Sequence, residues 1–148
     1  ESLVGRLNYS PMLGVDLGGS FHVGAYDDAG EHTLAIYAVD GNFHRGPLDL
    51  RGEVASANVN GAEEDGRSGF YGQVAYHFLP GVVRKFPNST FTIVGRYDHI
   101  DLGNTDETRF TVGVNFRPEE ETVIKLDYEV YDQDDDSNGL IFSVASYF

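Results

Sequence analysis

GLIFSVASYF, residues 139–148, sets Leu140, Phe142, Val144 and Phe148 on one side of an extended chain. Successive strand side chains point to opposite faces, so this is a strand with one apolar face. Ending on an aromatic residue, it has no polar tail to solvate an open edge, and something must pair with it. The expectation is a sheet closed on itself, with Phe148 at its seam.

The same build recurs throughout the chain. Its clearest instance is residues 48–58, where Leu48, Leu50, Gly52 and Val54 oppose Asp49, Arg51 and Glu53. A helix has no use for that period of two. Working outward, Leu3, Gly5, Leu7 and Tyr9 oppose Val4, Arg6, Asn8 and Ser10. Val15, Leu17, Gly19, Phe21 and Val23 oppose Asp16, Gly18, Ser20, His22 and Gly24. Phe70, Gly72, Val74, Tyr76 and Phe78 oppose Tyr71, Gln73, Ala75 and His77, and Phe91, Ile93, Gly95 and Tyr97 oppose Thr92, Val94, Arg96 and Asp98. Phe110, Val112, Val114 and Phe116 oppose Arg109, Thr111, Gly113, Asn115 and Arg117, while Ile124, Leu126, Tyr128 and Val130 oppose Lys125, Asp127, Glu129 and Tyr131. Residues 32–40 also read as a strand, but Leu34, Ile36 and Ala38 compete with Ala35, Tyr37 and Val39, so its facing is unassigned. Turns or loops are expected at residues 11–13, 27–31, 41–47, 61–67, 80–89, 101–107, 118–121 and 132–138. About nine strands joined by hairpin-length connections form an up-and-down meander.

Composition narrows the classes. The chain of 148 residues has no Cys and no Trp, one Met, 18 Gly, 9 Tyr and 10 Phe, and a formal net charge of −14. No disulfide scaffold or thiolate metal site can form, and the acidity argues against a nucleic-acid partner. No run approaches the roughly 20 apolar residues of a membrane helix. A transmembrane β-barrel escapes that test, because only alternate residues meet lipid.

Two patterns favour the barrel. Aromatics fall on the apolar face near strand ends, with Tyr9, Phe78, Phe91, Phe116 and Phe148 at one end and Phe70, Tyr97, Phe110 and Tyr128 towards the other. Bilayer interfaces select such belts. Connections also roughly alternate, short at Pro11 and Pro118 and longer at Glu63, Asp106 and Asp134. Bacterial single-chain barrels have even strand numbers with both ends on the periplasmic side. Nine strands therefore point to the carboxyl-terminal part of a larger barrel of about 16 to 18 strands. If residues 32–40 are not a strand, a complete eight-stranded barrel fits instead.

The runs GRLNYSP (residues 5–11), GPLDLRGEVA (46–55), FYGQVAYHF (70–78), VGRYDHID (94–101) and FTVGVNFRPEEETVIKLDYEV (110–130) resemble the carboxyl-terminal half of the phosphate-selective porin O/P type of outer-membrane protein. The resemblance rests on strand patterning and turn positions over most of the chain. It implies a wide barrel in the outer membrane of a Gram-negative bacterium, often a homotrimer, passing anions or other small solutes. It also implies basic residues along the pore, many of them outside this stretch.

The expected lumen face carries Arg6, Arg51, Arg96, Arg109, Arg117 and Lys125 together with Asp16, Asp49, Glu53, Asp98, Asp127 and Glu129. Such rows can line a water-filled pore and set the field on a permeant ion. The bland alternative is that they pair across strands and hold the register. Strict phosphate selectivity finds no support here. In the acidic loops, Asp132, Asp134, Asp136 and Asn138 have the alternate spacing of calcium ligands, but Gly139 falls two places late and Ser143 stands where a bidentate Glu belongs. Solvated loops, bridged to lipopolysaccharide phosphates by divalent cations, are the better expectation. His22, His32, His44, His77 and His99 show no zinc spacing. Asp16, Ser20 and His22 share a face, yet alternate strand residues lie about 7 Å apart, beyond hydrogen-bond reach, so they make no hydrolase without another strand. The reading is a channel for passive diffusion of small hydrophilic solutes, in contact with outer-membrane lipid and lipopolysaccharide, with no cofactor, no metal and no catalysis. The alternatives are a barrel acting as scaffold or subunit of an assembly, and a soluble β-sandwich that would bury Phe110, Val112, Val114 and Phe116.

Overall fold

A computed structural model describes residues 2–25, 32–60, 66–78, 80–132 and 138–147. They form nine antiparallel strands: β1 (Ser2–Met12), β2 (Val15–Ala25), β3 (Thr33–Arg45), β4 (Leu48–Asn60), β5 (Arg67–Phe78), β6 (Thr90–Asp101), β7 (Asp106–Glu119), β8 (Thr122–Tyr131) and β9 (Gly139–Ser146). Each pairs with its neighbours in sequence, in one sheet of order β1 to β9. The expected seam is not seen: β9 pairs with β8, β1 pairs with β2, and among the described residues the two edges do not meet. Phe148 lies outside the described residues.

The loop expected at 101–107, read as one of the longer ones, narrows to 102–105 because Asp101 pairs with Asp106 at the ends of β6 and β7, and the boundaries shift at three further connections. Residues 41–45, read as loop, complete β3, where Asn42 opposes Arg51 and His44 opposes Asp49. Pro11 and Pro118, expected to make turns, sit instead within the ends of β1 and β7, at irregularities between Tyr9 and Met12 and between Phe116 and Glu119. A bulge tolerates proline because its residue is out of the ladder, so no hydrogen bond is lost. The turns that follow are tight. Gly14 (φ 82°) and Gly46 (φ 58°) take the left-handed conformation open to glycine, and a Cβ on Gly14 would collide with the His44 carbonyl oxygen. The next strand over caps each turn: His44 N donates to Gly14 O (2.7 Å), His77 N to Pro47 O (2.8 Å) and Tyr147 N to Glu121 O (2.9 Å).

Residues opposed in a ladder share a face, so register assigns β3. Tyr37 stands between Phe21 and Ser56, and Val39 between Gly19 and Val54, on the apolar face. Leu34 and Ile36 oppose Val59 and Ala57 on the charged face. The first half of β3 is apolar on both sides, which is why its alternation is mute.

The two faces differ in shelter. The buried residues within strands are Gly18, Gly24, Ala75, Thr92, Asp98 and Gly113, all on the charged face. Asp98 is 7% exposed and Thr92 8%, while Leu7 is 76% and Phe142 67% exposed on the apolar face. Among the described residues Ala75 alone is a buried hydrophobic. The sheet is therefore curved with its charges on the concave side. The alternative sandwich, which would bury Phe110, Val112, Val114 and Phe116 against a second sheet, is not seen: the described residues form one sheet, Phe110, Val112 and Val114 are exposed and Phe116 is only partly covered.

Glycine makes room for the charges. Arg6 on β1 reaches over β2 to Asp40 on β3 (2.8 Å), crossing above Gly18, where a Cβ would run into both charged groups. On the outward face Gly72 has nothing near its missing Cβ. Gly18→Val should therefore unfold at lower denaturant in detergent than Gly72→Val, by at most about 1 kcal/mol because Arg6 is half exposed. Equal midpoints would show that the Arg6–Asp40 bridge adds nothing.

Candidate functional site: the charged concave face

All twelve residues expected on the lumen side lie on the concave face by register. They separate into two groups by what they touch. At mid-height a ladder row runs Asp40, Glu53, Tyr71, Asp98, Arg109, Tyr131, with Asp16, Asn42, Arg51, Gln73, Arg96, Thr111 and Glu129 in the row beside it. On β5 to β8 these rows are stitched together. Arg96 donates to Asp98 through Nε (2.9 Å) and Nη2 (2.6 Å), and its guanidinium lies 4.0 Å above the Tyr71 ring. Arg109 Nε stands 3.6 Å from Asp98 and Nη1 3.7 Å from Glu129, which accepts from the Tyr131 hydroxyl (2.8 Å). Asp98 thus serves two guanidinium groups. Arg6, bonded to Asp40, also donates to Asn8 (2.9 Å).

Nearer the short-turn end the pattern changes. A cleft of about 640 Å³ opens across β4 to β8, floored by Ala75 and Thr92 and walled by Asp49, Arg51, His77, Asn115, Arg117 and Lys125, with Pro47 and Pro80 at its rim. Only a curved sheet can enclose space between five consecutive strands. Among the described residues, Arg51, Arg117 and Lys125 have no carboxylate within salt-bridge reach. Three unneutralised cations against Asp49 give the cleft a positive field, whereas the girdle above it is largely self-compensated. Behind Pro80 the connection from β5 to β6 folds on itself, with Gly81 N donating to Ser89 O (2.7 Å) and Ser89 N to Phe86 O (3.0 Å). It is a long connection at the end where the other connections are tight, so the expected alternation of short and long holds only in part.

Sequence spacing missed one cluster. His44 and His77, 33 positions apart, meet at Asp49: His44 Nδ1 bonds one carboxylate oxygen and His77 Nε2 the other (2.8 Å), while His77 Nδ1 bonds Thr92 Oγ1 (2.8 Å). Only ladder register could have brought them together. The Asp16, Ser20 and His22 trio shares the concave face but does not assemble; Asp16 instead holds Ser10. His99 faces outward against Phe70 and Thr108. Among the described residues no group of three His, Cys, Asp or Glu side chains is arranged to hold a metal. Of the calcium-like loop only its ends are described, with Asn138 accepting from Tyr131 N (3.3 Å).

The outward face carries the two aromatic groups. Phe91 stacks on Phe116 (4.7 Å) and neighbours Phe78 (6.0 Å), while Phe70 packs against Tyr97 (5.9 Å). Along β5, Phe78 and Phe70 are separated by about 26 Å at the usual strand rise.

Asp98→Asn keeps the side-chain shape but removes the charge shared by Arg96 and Arg109. It should cost about 2 kcal/mol of unfolding free energy in detergent, as for a sheltered hydrogen bond to a charged group. Asp40→Asn, facing the half-exposed Arg6, should cost less than about 1 kcal/mol. The reverse order would show that the girdle adds little to stability.

No family model and no curated protein matches the chain. Among solved structures, one reported in work on the in-meso crystallization of membrane proteins aligns with 98% of this chain and 75% of its own, at 15% identity and a TM-score of 0.40. A likeness so distant leaves fold and function to be read from the chain's own geometry.

Proposed function

We propose that this chain forms wall and lumen of an outer-membrane β-barrel channel of a Gram-negative bacterium, through which small hydrophilic solutes diffuse, with anions favoured at the short-turn mouth. The observation that carries this reading is the inverted sheet: buried Asp98 and Thr92 inside, exposed Leu7 and Phe142 outside. Transfer of a Val, Leu or Phe side chain out of water is worth about 1.5–3 kcal/mol. About a dozen of them held in water would forfeit tens of kcal/mol, more than the ~5–15 kcal/mol net stability of a domain. A hydrocarbon surround removes that cost. Aromatic groups about 26 Å apart along strands tilted by about 40° stand about 20 Å apart along the membrane normal, which fits inside a lipid-facing band about 25 Å tall, and strands of 8 to 14 residues suit a tilted crossing of about 9–11.

Closure belongs to the same proposal. In a nine-stranded antiparallel meander β1 and β9 run in the same direction, so they can join antiparallel only through an odd number of further strands. This supports a larger barrel. The chain has no native cysteine, so cysteines placed along β1 and at Ser143 on β9 report directly. No cross-link is expected at any β1 position; a disulfide would mean that the nine strands close on themselves. The acidic connections at the loop end, with Asp132 among their described carboxylates, suit divalent bridges to lipopolysaccharide phosphates.

A second reading is a closed barrel acting as scaffold, favoured by the way Arg96, Asp98, Arg109 and Glu129 neutralise one another. Planar-bilayer recording separates the two. Discrete conductance steps are expected, with a reversal potential in a KCl gradient that favours chloride and moves towards potassium in the triple variant Arg51→Gln, Arg117→Gln, Lys125→Gln. Absence of current through intact, folded protein would leave the scaffold.

A further inference from the structure

The three cations of the cleft explain a fixed preference for anions, but the cluster beside them adds something variable. We propose that His44 and His77, one on each oxygen of Asp49, form a proton-operated switch that strengthens the cleft's hold on oxyanions as pH falls from 8 to 5. The proposal rests on the channel reading above for its physiological sense, though not for its test.

In the neutral state the hydrogen bonds assign every proton. Asp49 can only accept, so His44 Nδ1 and His77 Nε2 must each carry the hydrogen they share with it. His77 Nδ1 is then the bare nitrogen, and the Thr92 hydroxyl donates to it. A proton taken up by His77 can therefore enter only at Nδ1. There it reverses the bond: Nδ1 becomes the donor, Thr92 Oγ1 the acceptor, and the hydroxyl hydrogen must find another partner. Directly opposite Thr92 in the β6–β7 ladder stands Asn115, whose Oδ1 is buried without a hydrogen bond. The vacant acceptor is thus already in place for the protonated state. His44, exposed at the rim, takes its second proton from solvent at Nε2.

Charge then does the rest. On β4 the groups facing the pair are Asp49 and Arg51; on β6, Thr92 carries no charge; across the cleft, β7 contributes Arg117 and β8 Lys125. On the far side of His44, β2 presents Asp16, which is occupied by Ser10. With neutral imidazoles the cleft holds three cations against one carboxylate. An imidazolium at His77 raises that net charge by half, and one at His44, bonded to Asp49 beside the cleft, adds a second positive charge next to it. Imidazole is the side chain whose charge ordinarily changes between pH 5 and 8. At separations of several ångströms in a water-filled lumen, two added charges should tighten binding of a divalent anion by about threefold or more at low salt.

The test uses the whole protein in detergent and sulfate as probe, because sulfate itself keeps its charge throughout the range. Calorimetric titration at low ionic strength should give at least a threefold higher sulfate affinity at pH 5 than at pH 8. In His44→Gln/His77→Gln that ratio should fall to about one. In Asn115→Leu, which removes the waiting acceptor, it should shrink while remaining above one. A wild-type ratio near one, or an undiminished ratio in the double variant, overturns the switch and assigns any pH effect to the carboxylates. Bilayer recording at the same two pH values answers separately: conducting protein without pH-dependent selectivity counts against the switch, and non-conducting protein that still binds sulfate in this pH-dependent way counts against the channel alone.

Discussion

Residues that oppose one another in an antiparallel ladder must share a face, and in this chain one register runs from β1 to β9, shifting only at the bulged ends of β1 and β7. A slip of one residue anywhere would turn an entire strand inside out. Asp49 would then look outward with Arg51 and Glu53, while Leu48, Leu50 and Val54 would enter the concave side. The register thereby assigns each half of the alternation to its own medium. Tight turns anchored on Gly14 and Gly46, whose positive φ angles favour glycine, and bulges that absorb Pro11 and Pro118 keep the register in step at the end where strands turn back.

Curvature gives that sidedness its chemistry. On the concave face side chains converge, so charges meet partners on the adjacent strand or the next one over: Arg6 crosses over Gly18 to Asp40, and Asp98 collects the guanidinium groups of Arg96 and Arg109. Convergence also divides the face. At mid-height the guanidinium groups of Arg6, Arg96 and Arg109 are paired with carboxylates, which ties neighbouring strands together. Beside the tight turns the compensation fails. Arg51, Arg117 and Lys125 point into one cleft with Asp49 alone against them, and Asp49 is already engaged by two imidazoles. The wall thus carries mostly paired guanidinium groups over one stretch and unpaired cations over the next.

On the outward face the same convergence works in reverse. Side chains splay apart, leaving Leu7, Val39 and Phe142 with little contact among themselves. What packing exists there is aromatic, in the Phe78, Phe91 and Phe116 group and the Phe70 and Tyr97 pair. Rings of this kind suit a boundary where one end of a side chain is dry and the other wet.

The period of two, read from the amino acids alone, was enough for the strand count, the antiparallel meander and the sorting of all twelve candidate side chains onto one face, because alternation is a local property of the backbone. It was not enough at residues 32–40, where both faces of β3 are apolar and only the partners Phe21, Val54, Ala57 and Val59 tell them apart. It also ended β3 too early, since Asn42 and His44 look like loop residues until Arg51 and Asp49 stand opposite them. Which face is concave, which cations lack a partner, and the meeting of His44 with His77 at Asp49 were decided by tertiary structure. Those facts depend on curvature and on cross-strand register, and both arise between strands whose contacting residues lie tens of positions apart in the chain.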